Sequence, residues 1–252
     1  MPLRNSNPVK DCIIVLQIEH IDLEFNINPS PFSLRPTRRS PQTAGGHEER
    51  VEGEGRLSLI DGGERGMSGL SRIQREEAVL VVVDVQEALM KKMNPAVAEK
   101  VIRNIRTFLA FARHLGIPVL ITEQYPKGLG PTVSEIKTEL GSVLPIEKVS
   151  FSCCGVETFN TKLNQTHRKQ VLMVGIETHV CILQTADDLL RTGLEVHAVA
   201  DAICSQRKLD WEVGLRWMEK KGAMISTTEI IAFQLLKEAG TEEFRTLSKW
   251  FK

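Results

Sequence analysis

The feature that most constrains the fold is a set of short β-branched runs that are apolar on both faces, separated by amphipathic stretches. The first, Ala-Val-Leu-Val-Val-Val at residues 78–83, ends in Asp84. Alternation of polar and apolar residues would mark a half-exposed strand. A continuous apolar run marks a strand covered on both sides, as in a parallel sheet. Residues 97–115 follow with apolar positions at helical spacing, opened by Asn94-Pro95 and closed by Gly116. The pattern then repeats. Strands are predicted at 117–122, within 142–148, at 171–174, 194–200 and 223–226, with helices at 131–140, 156–167, 209–221 and 227–239, and a short one at 242–252. Residues 123–130 read as a loop. Strands alternating with helices imply right-handed βαβ units. The expected fold class is therefore α/β, a three-layer doubly wound six-stranded parallel sheet. Its order is 3-2-1-4-5-6, with a ligand crevice between strands 1 and 4.

The first 74 residues differ. They hold Pro-Ser-Pro, Gly-Gly and Glu-Gly-Glu-Gly, and one apolar piece at 11–18 that could pass for a stray strand. This segment is expected to be a disordered extension, with the folded domain at 75–252. The basic cluster between Arg35 and Arg39 suits a targeting or anionic-surface element, or simply a solvated stretch. Met67 has the look of a start site just ahead of the folded part.

Composition excludes several classes. The 252 residues carry a formal net charge of zero, which gives no footing for nucleic-acid binding. No apolar run approaches the roughly 18 residues of a membrane span. The five cysteines, Cys12, Cys153, Cys154, Cys181 and Cys204, show no CxxC spacing. That argues against structural zinc or a disulfide scaffold and fits a reducing, cytoplasmic setting.

The chemistry centres on residues 171–186, VLMVGIETHVCILQTA. The apolar run stops at Gly175, and a helical pattern carrying Cys181 in its first turn follows. A helix N-terminus offers unpaired N–H groups and a positive dipole end, which lower a thiol's pKa and can hold an oxyanion. In the expected topology, Asp84 ends strand 1, Lys148 ends strand 3 and Cys181 follows strand 4. An aspartate can take the thiol proton, and a lysine beside both favours thiolate. Each residue has a plain alternative. Cys181 can be a core thiol, Asp84 a turn or cap residue, and Lys148 half of a solvated pair with Glu147. Their convergence on one rim favours a site.

Three stretches, Val-Val-Val-Asp84-Val-Gln86, Glu-Lys148, and Gly175-Ile-Glu-Thr-His-Val-Cys181-Ile-Leu-Gln-Thr-Ala, resemble the isochorismatase-like cysteine hydrolases. The resemblance covers residues 74–240. Thr122-Glu-Gln124-Tyr125-Pro126 and Lys148-x-x-Phe151-Ser152 are similar to the branch called isochorismatase domain-containing proteins. The resemblance implies an acyl-thioester mechanism with Asp84 as general base, Lys148 as activating cation and Cys181 as nucleophile. It implies a cis peptide between Ile176 and Glu177, aiming the Glu177 N–H, with that of Cys181, at the substrate oxygen. It also implies a homo-oligomer, dimer or larger, acting on a small-molecule substrate.

Nicotinamidases of this superfamily carry an Asp-x-His metal site. Here the corresponding loop is Glu123-Gln124-Tyr125-Pro126-Lys127, so no metal and no other cofactor is expected, and nicotinamide is disfavoured as substrate. The cysteine favours amide, imide or ester hydrolysis over vinyl-ether (isochorismate-type) hydrolysis. A catalytically silent binding module of the same fold is the other alternative. Gln86, Gln124, Tyr125 and Phe151 are expected to line the pocket. His179 is two residues from Cys181, a spacing that faces different sides of a helix, so no Cys–His dyad is expected. Cys153 and Cys154, directly after Phe151 and near the expected rim, could form a redox pair but read first as two ordinary thiols, and Cys204 reads as a structural residue ending the loop after strand 5. Of Trp211 and Trp217, one is expected in the core and the other against a partner subunit.

Overall fold

The computed structural model describes residues 72–251. The apolar piece at 11–18, the Arg35–Arg39 cluster, Cys12, Met67 and nearly all of the expected extension lie outside the described residues. The six strands are β1 (Ala78–Val83), β2 (Val119–Gln124), β3 (Ile146–Lys148), β4 (Gln170–Ile176), β5 (Glu195–Cys204) and β6 (Met224–Ser226). All neighbours pair in parallel, in the order β3-β2-β1-β4-β5-β6. This is the expected topology. The helices are α1 (Glu87–Met90), α2 (Pro95–Leu115), α3 (Pro126–Leu129), α4 (Ser134–Lys137), α5 (Glu157–Gln165), α6 (Leu183–Arg191), α7 (Lys208–Lys220), α8 (Thr228–Leu236) and α9 (Glu242–Leu247).

Period-two geometry divides β1 between two cores. Ala78, Leu80 and Val82 face α2 and α8, packing with Ile105, Phe108, Ile231 and Leu235. Val79, Val81 and Val83 face the other layer, with Phe159 of α5, Ala186 and Leu189 of α6, and Met218 of α7. Helix α2 starts where its signals lie. The Asn94 side chain accepts from the Ala96 and Val97 amides, Pro95 takes the first turn, and Gly116 closes the helix at φ 68°.

Several boundaries differ from expectation. The 131–140 helix shrinks to the single turn α4, and the 123–130 loop contains α3. Strand β4 runs through Gly175 to Ile176. Strand β5 extends to Cys204, so Cys204 closes a strand and pairs with Ile176 instead of ending a loop. The sequence pattern hides this extension because Asp201 interrupts it. Asp201 has a structural use: its Oδ1 accepts from the Thr228 amide and hydroxyl, each at 2.8 Å, and so caps α8.

His197, on β5, is 3% exposed, and neither ring nitrogen has a hydrogen-bond partner. Burial holds its pKa down at about 4. The unfolded chain takes up a proton near pH 6.5, whereas the native state resists until about pH 4. Stability is therefore full above pH 6.5 and falls through that window by about 3 kcal/mol. In His197→Leu, urea midpoints measured between pH 7 and 4.5 should decline less steeply than in the wild type. An equal decline in both would exclude His197 as the source.

Candidate active site

The carboxyl ends of β1, β2, β3 and β4 meet at one point. Asp84 follows β1 in a left-handed conformation, φ 50°, and is fully buried. Its Oδ1 accepts from Thr122 Oγ1 at 2.7 Å, and its Oδ2 from Lys148 Nζ at 2.6 Å. Both side chains of the Asp84–Lys148 ion pair are inaccessible to solvent. Lys148 Nζ also lies 2.7 Å from Gln124 Oε1, 3.2 Å from Ser150 O and 3.1 Å from Phe151 O. The ammonium has only three hydrogens, so this cage accounts for all of them.

Cys181 is 6% exposed and sits in a widened turn, Thr178–Ile182, between β4 and α6. The Ile182 amide reaches back five residues to Glu177 O at 3.2 Å, the hydrogen bond of a π-turn, a feature that recurs at functional sites. Just before it, the Ile176–Glu177 peptide is cis. Glu177 Oε2 accepts from the Gln206 amide at 3.0 Å. The Thr178–His179 segment packs on Gly214 of α7, where a Cβ would lie 3.1 Å from Thr178 Cγ2. Cys181 thus precedes the α-helix proper instead of occupying its first turn.

The electrostatics correct one sequence expectation. A dipole end and a lysine were to lower the Cys181 pKa. In the structure the thiol is pushed strongly upward, first by burial and then by the negative charge of Asp84; Lys148 opposes this only in part. Rapid alkylation by haloacetamide well below pH 8 is therefore not expected of the resting thiol, which is held protonated beside a base.

The remaining candidates fall into place around this cluster. Gln86 is fully buried, and its amide is spent on backbone. Oε1 accepts from the Gln124 amide at 2.7 Å, and Nε2 donates to Gln124 O at 3.0 Å and Gly130 O at 2.7 Å. It clamps the ends of β1 and β2 together. Gln124 holds Lys148 with its oxygen and Val149 O with its Nε2, at 2.8 Å. Tyr125 and Phe151 are each 54% exposed on the rim. The Tyr125 ring lies over Gly128, where a Cβ would sit 2.5 Å from it. In this loop Glu123 Oε1 accepts from the Thr132 amide and hydroxyl, and Gln124 Oε1 from Lys148, each at 2.7 Å. Among the described residues no group of three or more His, Cys, Asp or Glu is placed to hold a metal ion.

His179 turns away from Cys181, with Nδ1 3.0 Å from Ser205 Oγ and Nε2 4.0 Å from Asp210. Trp211 is half-buried and donates to Ala200 O at 3.2 Å, while Trp217 is exposed. The sequence assigns no role to Thr122 or Thr185, and it places Cys153 near the rim, where the structure has it buried beside Thr122. Thr122 carried a signal, since it lies at the carboxyl end of the strand beside β1. The Cys153 sulfur lies 3.7 Å from Thr122 Oγ1, and its amide donates to Thr185 Oγ1 at 2.9 Å.

Fold and sequence together assign the class. Residues 78–230 match the isochorismatase domain family. Isochorismatase domain-containing protein 2A of Mus musculus is 38% identical over 188 residues, covering 73% of this chain and 87% of that protein. Isochorismatase family protein 1A of Dictyostelium discoideum is 35% identical over 189 residues, 72% of this chain and 89% of that protein. Among solved structures, MAR1 ribonuclease from Caenorhabditis elegans superposes with a TM-score of 0.66 at 36% identity, over 71% of this chain and 92% of that one. The YcaC gene product of Escherichia coli, described as an octameric hydrolase of unknown specificity, shares the fold at TM-score 0.67 and 22% identity, over 72% of this chain and 91% of that one. The chain belongs to the isochorismatase family, an isochorismatase-like hydrolase fold.

Proposed function

We propose that this protein is a cysteine hydrolase of small amides, imides or related acyl compounds, working through a thioester on Cys181. The observation that carries the reading is one buried cluster from three strand ends: Asp84, bound by Lys148 at 2.6 Å on one oxygen, together with the buried thiol of Cys181, on which the Asp84 charge acts. Because the thiol's pKa is raised, attack and deprotonation are coupled. Sulfur bonds to the acyl carbon as Asp84 takes the proton. Asp84 then returns it to the departing amine as the carbon–nitrogen bond breaks. A water next loses a proton to Asp84 and attacks the thioester, the carbon–sulfur bond breaks, and Asp84 returns the proton to sulfur to restore the thiol. The Glu177 and Cys181 backbone N–H groups receive the developing oxyanion. Lys148, caged in place, holds Asp84 in register and partly offsets its charge against the thiolate. Tyr125 and Phe151 line the approach to the thiol.

The nematode relative is named a ribonuclease, but a net charge of zero gives no support to RNA as substrate here. The working form is proposed to be a cytoplasmic homo-oligomer. The octameric description of the Escherichia coli protein and the exposed apolar stripe Leu209, Val213 and Trp217 on α7 support it. Among the described residues no helix is long and apolar enough to cross a membrane.

The test is mass-spectrometric trapping of an acyl adduct from a panel of small amides and imides. The adduct is expected on Cys181, and Cys181→Ala should lose at least ~10⁴-fold in turnover while melting near the wild-type temperature. Full turnover in that variant, on any substrate found, would sink the mechanism.

A further inference from the structure

The mechanism leaves one buried thiol beside it unused. Cys153 is fully buried, whereas its neighbour Cys154 is part-exposed, so the two adjacent cysteines have different surroundings. The Cys153 amide rests on Thr185 Oγ1 at 2.9 Å. Thr185, in the first turn of α6, lies four residues beyond Cys181 in the turn that leads into that helix. The backbone of Cys153 is thus anchored one turn along the chain from the nucleophile. From the other side its sulfur touches the Thr122 hydroxyl at 3.7 Å, the group that donates to Asp84 Oδ1 at 2.7 Å. Cys153 thus reaches the Asp84 carboxylate through a single hydroxyl. Cys153 and Cys181 belong to the same packed cluster as Val83 and Ile182, and charge on Cys153 is felt at Cys181.

We propose that Cys153 is the resolving thiol of Cys181, so that oxidation by a hydroperoxide ends in a reversible Cys153–Cys181 disulfide. In the first step Asp84 takes the Cys181 proton and the sulfur attacks the outer peroxide oxygen. The oxygen–oxygen bond breaks, the thiol proton passes to the departing oxygen, and an alcohol or water leaves a sulfenic acid. In the second, the Cys153 sulfur attacks the sulfenic sulfur. The sulfur–oxygen bond breaks, the Cys153 proton joins the hydroxyl, and water leaves. The two thiols lose two electrons, and the peroxide gains them. A dithiol reductant reverses the bond by exchange. Without a neighbouring thiol, a sulfenic acid proceeds to sulfinic acid, which such a reductant does not recover.

The test exposes the full chain to hydrogen peroxide and maps thiols by mass spectrometry without prior reduction. The expected product is a cross-linked pair of peptides containing Cys153 and Cys181, two hydrogens lighter than the free thiols and lost on dithiothreitol treatment. In Cys153→Ser, and in Cys153→Ala as a second variant, Cys181 should accumulate as sulfinic acid that dithiothreitol does not reverse. Melting curves would confirm that the variants are folded. A Cys153–Cys154 linkage, or equal sulfinic acid at Cys181 in wild type and variants, would overturn the proposal. Every readout is a sulfur mass, so the outcome is independent of whether a hydrolase substrate is found.

Discussion

Lys148→Met should lower the melting temperature by about 10 °C. The pair it breaks is fully inaccessible, with Nζ 2.6 Å from Asp84 Oδ2. Removing one partner of a buried ion pair leaves the other charge uncompensated, a loss of roughly 3–5 kcal/mol. A domain of this size shifts by roughly 2–4 °C per kcal/mol. The loss does not end at Asp84. Gln124 Oε1, Ser150 O and Phe151 O all direct acceptors at the same ammonium and would lose their donor together. The double variant Asp84→Asn, Lys148→Met separates charge from shape. It removes the stranded carboxylate and keeps the volume, so it should melt well above the single variant. Neither is expected to turn over substrate under the proposed mechanism. If the single variant melted with the wild type, the pair would not be the buried, mutually dependent unit that the geometry describes.

The centre of the sheet was legible because β1 and β4 are buried along their whole length and so read as nearly unbroken apolar runs. The strand order followed from general topology, and the order then placed the ends of strands 1, 3 and 4 on one rim. The sequence alone therefore points to Asp84 and Lys148. What stayed hidden depends on side-chain geometry that no spacing encodes. Gln86 sits two residues beyond Asp84 and looked like a rim residue; the left-handed turn at Asp84 and two backbone partners fold it underneath as a clamp. Cys181 was expected to be acidic from its helix end and its lysine. The sequence carries no measure of burial at that point, and burial together with Asp84 outweighs both. Thr122 and Thr185 read as filler in a strand and a helix, yet their hydroxyls tie Asp84 and Cys153 into the same cluster. The end of β4 was misplaced for a related reason. Glycine usually punctuates an element, so the strand was stopped at Gly175.

Gly175 is there because nothing larger fits, and Gly175→Ala tests that directly. Its φ is +119°, and a Cβ would lie 2.1 Å from Val83 O, 2.7 Å from Val83 N and 2.8 Å from Val83 C. These are backbone atoms of the central strand, held in register with Gly175 itself. No side-chain rotation can relieve the clash, so β1 and β4 must part. Overpacking combined with a disfavoured backbone conformation makes the loss about 4 kcal/mol, again a fall of roughly 10 °C. Gly193→Ala supplies the control. Gly193 also has positive φ, +85°, but nothing lies within 4 Å of its Cβ position. It should lose only the conformational part, about 1–2 kcal/mol. Urea unfolding of both variants at equal slope gives the difference as the contribution of the close approach. The consequence reaches the site. Val83 leads directly into Asp84, and Gly175 leads into Ile176, Glu177 and the turn that carries Cys181. Spreading the two strands would move the base away from the nucleophile, so any folded Gly175→Ala protein should also lose the acyl adduct on Cys181. Equal destabilisation of the two glycine variants would mean that backbone conformation alone, and not the contact with Val83, fixes this residue.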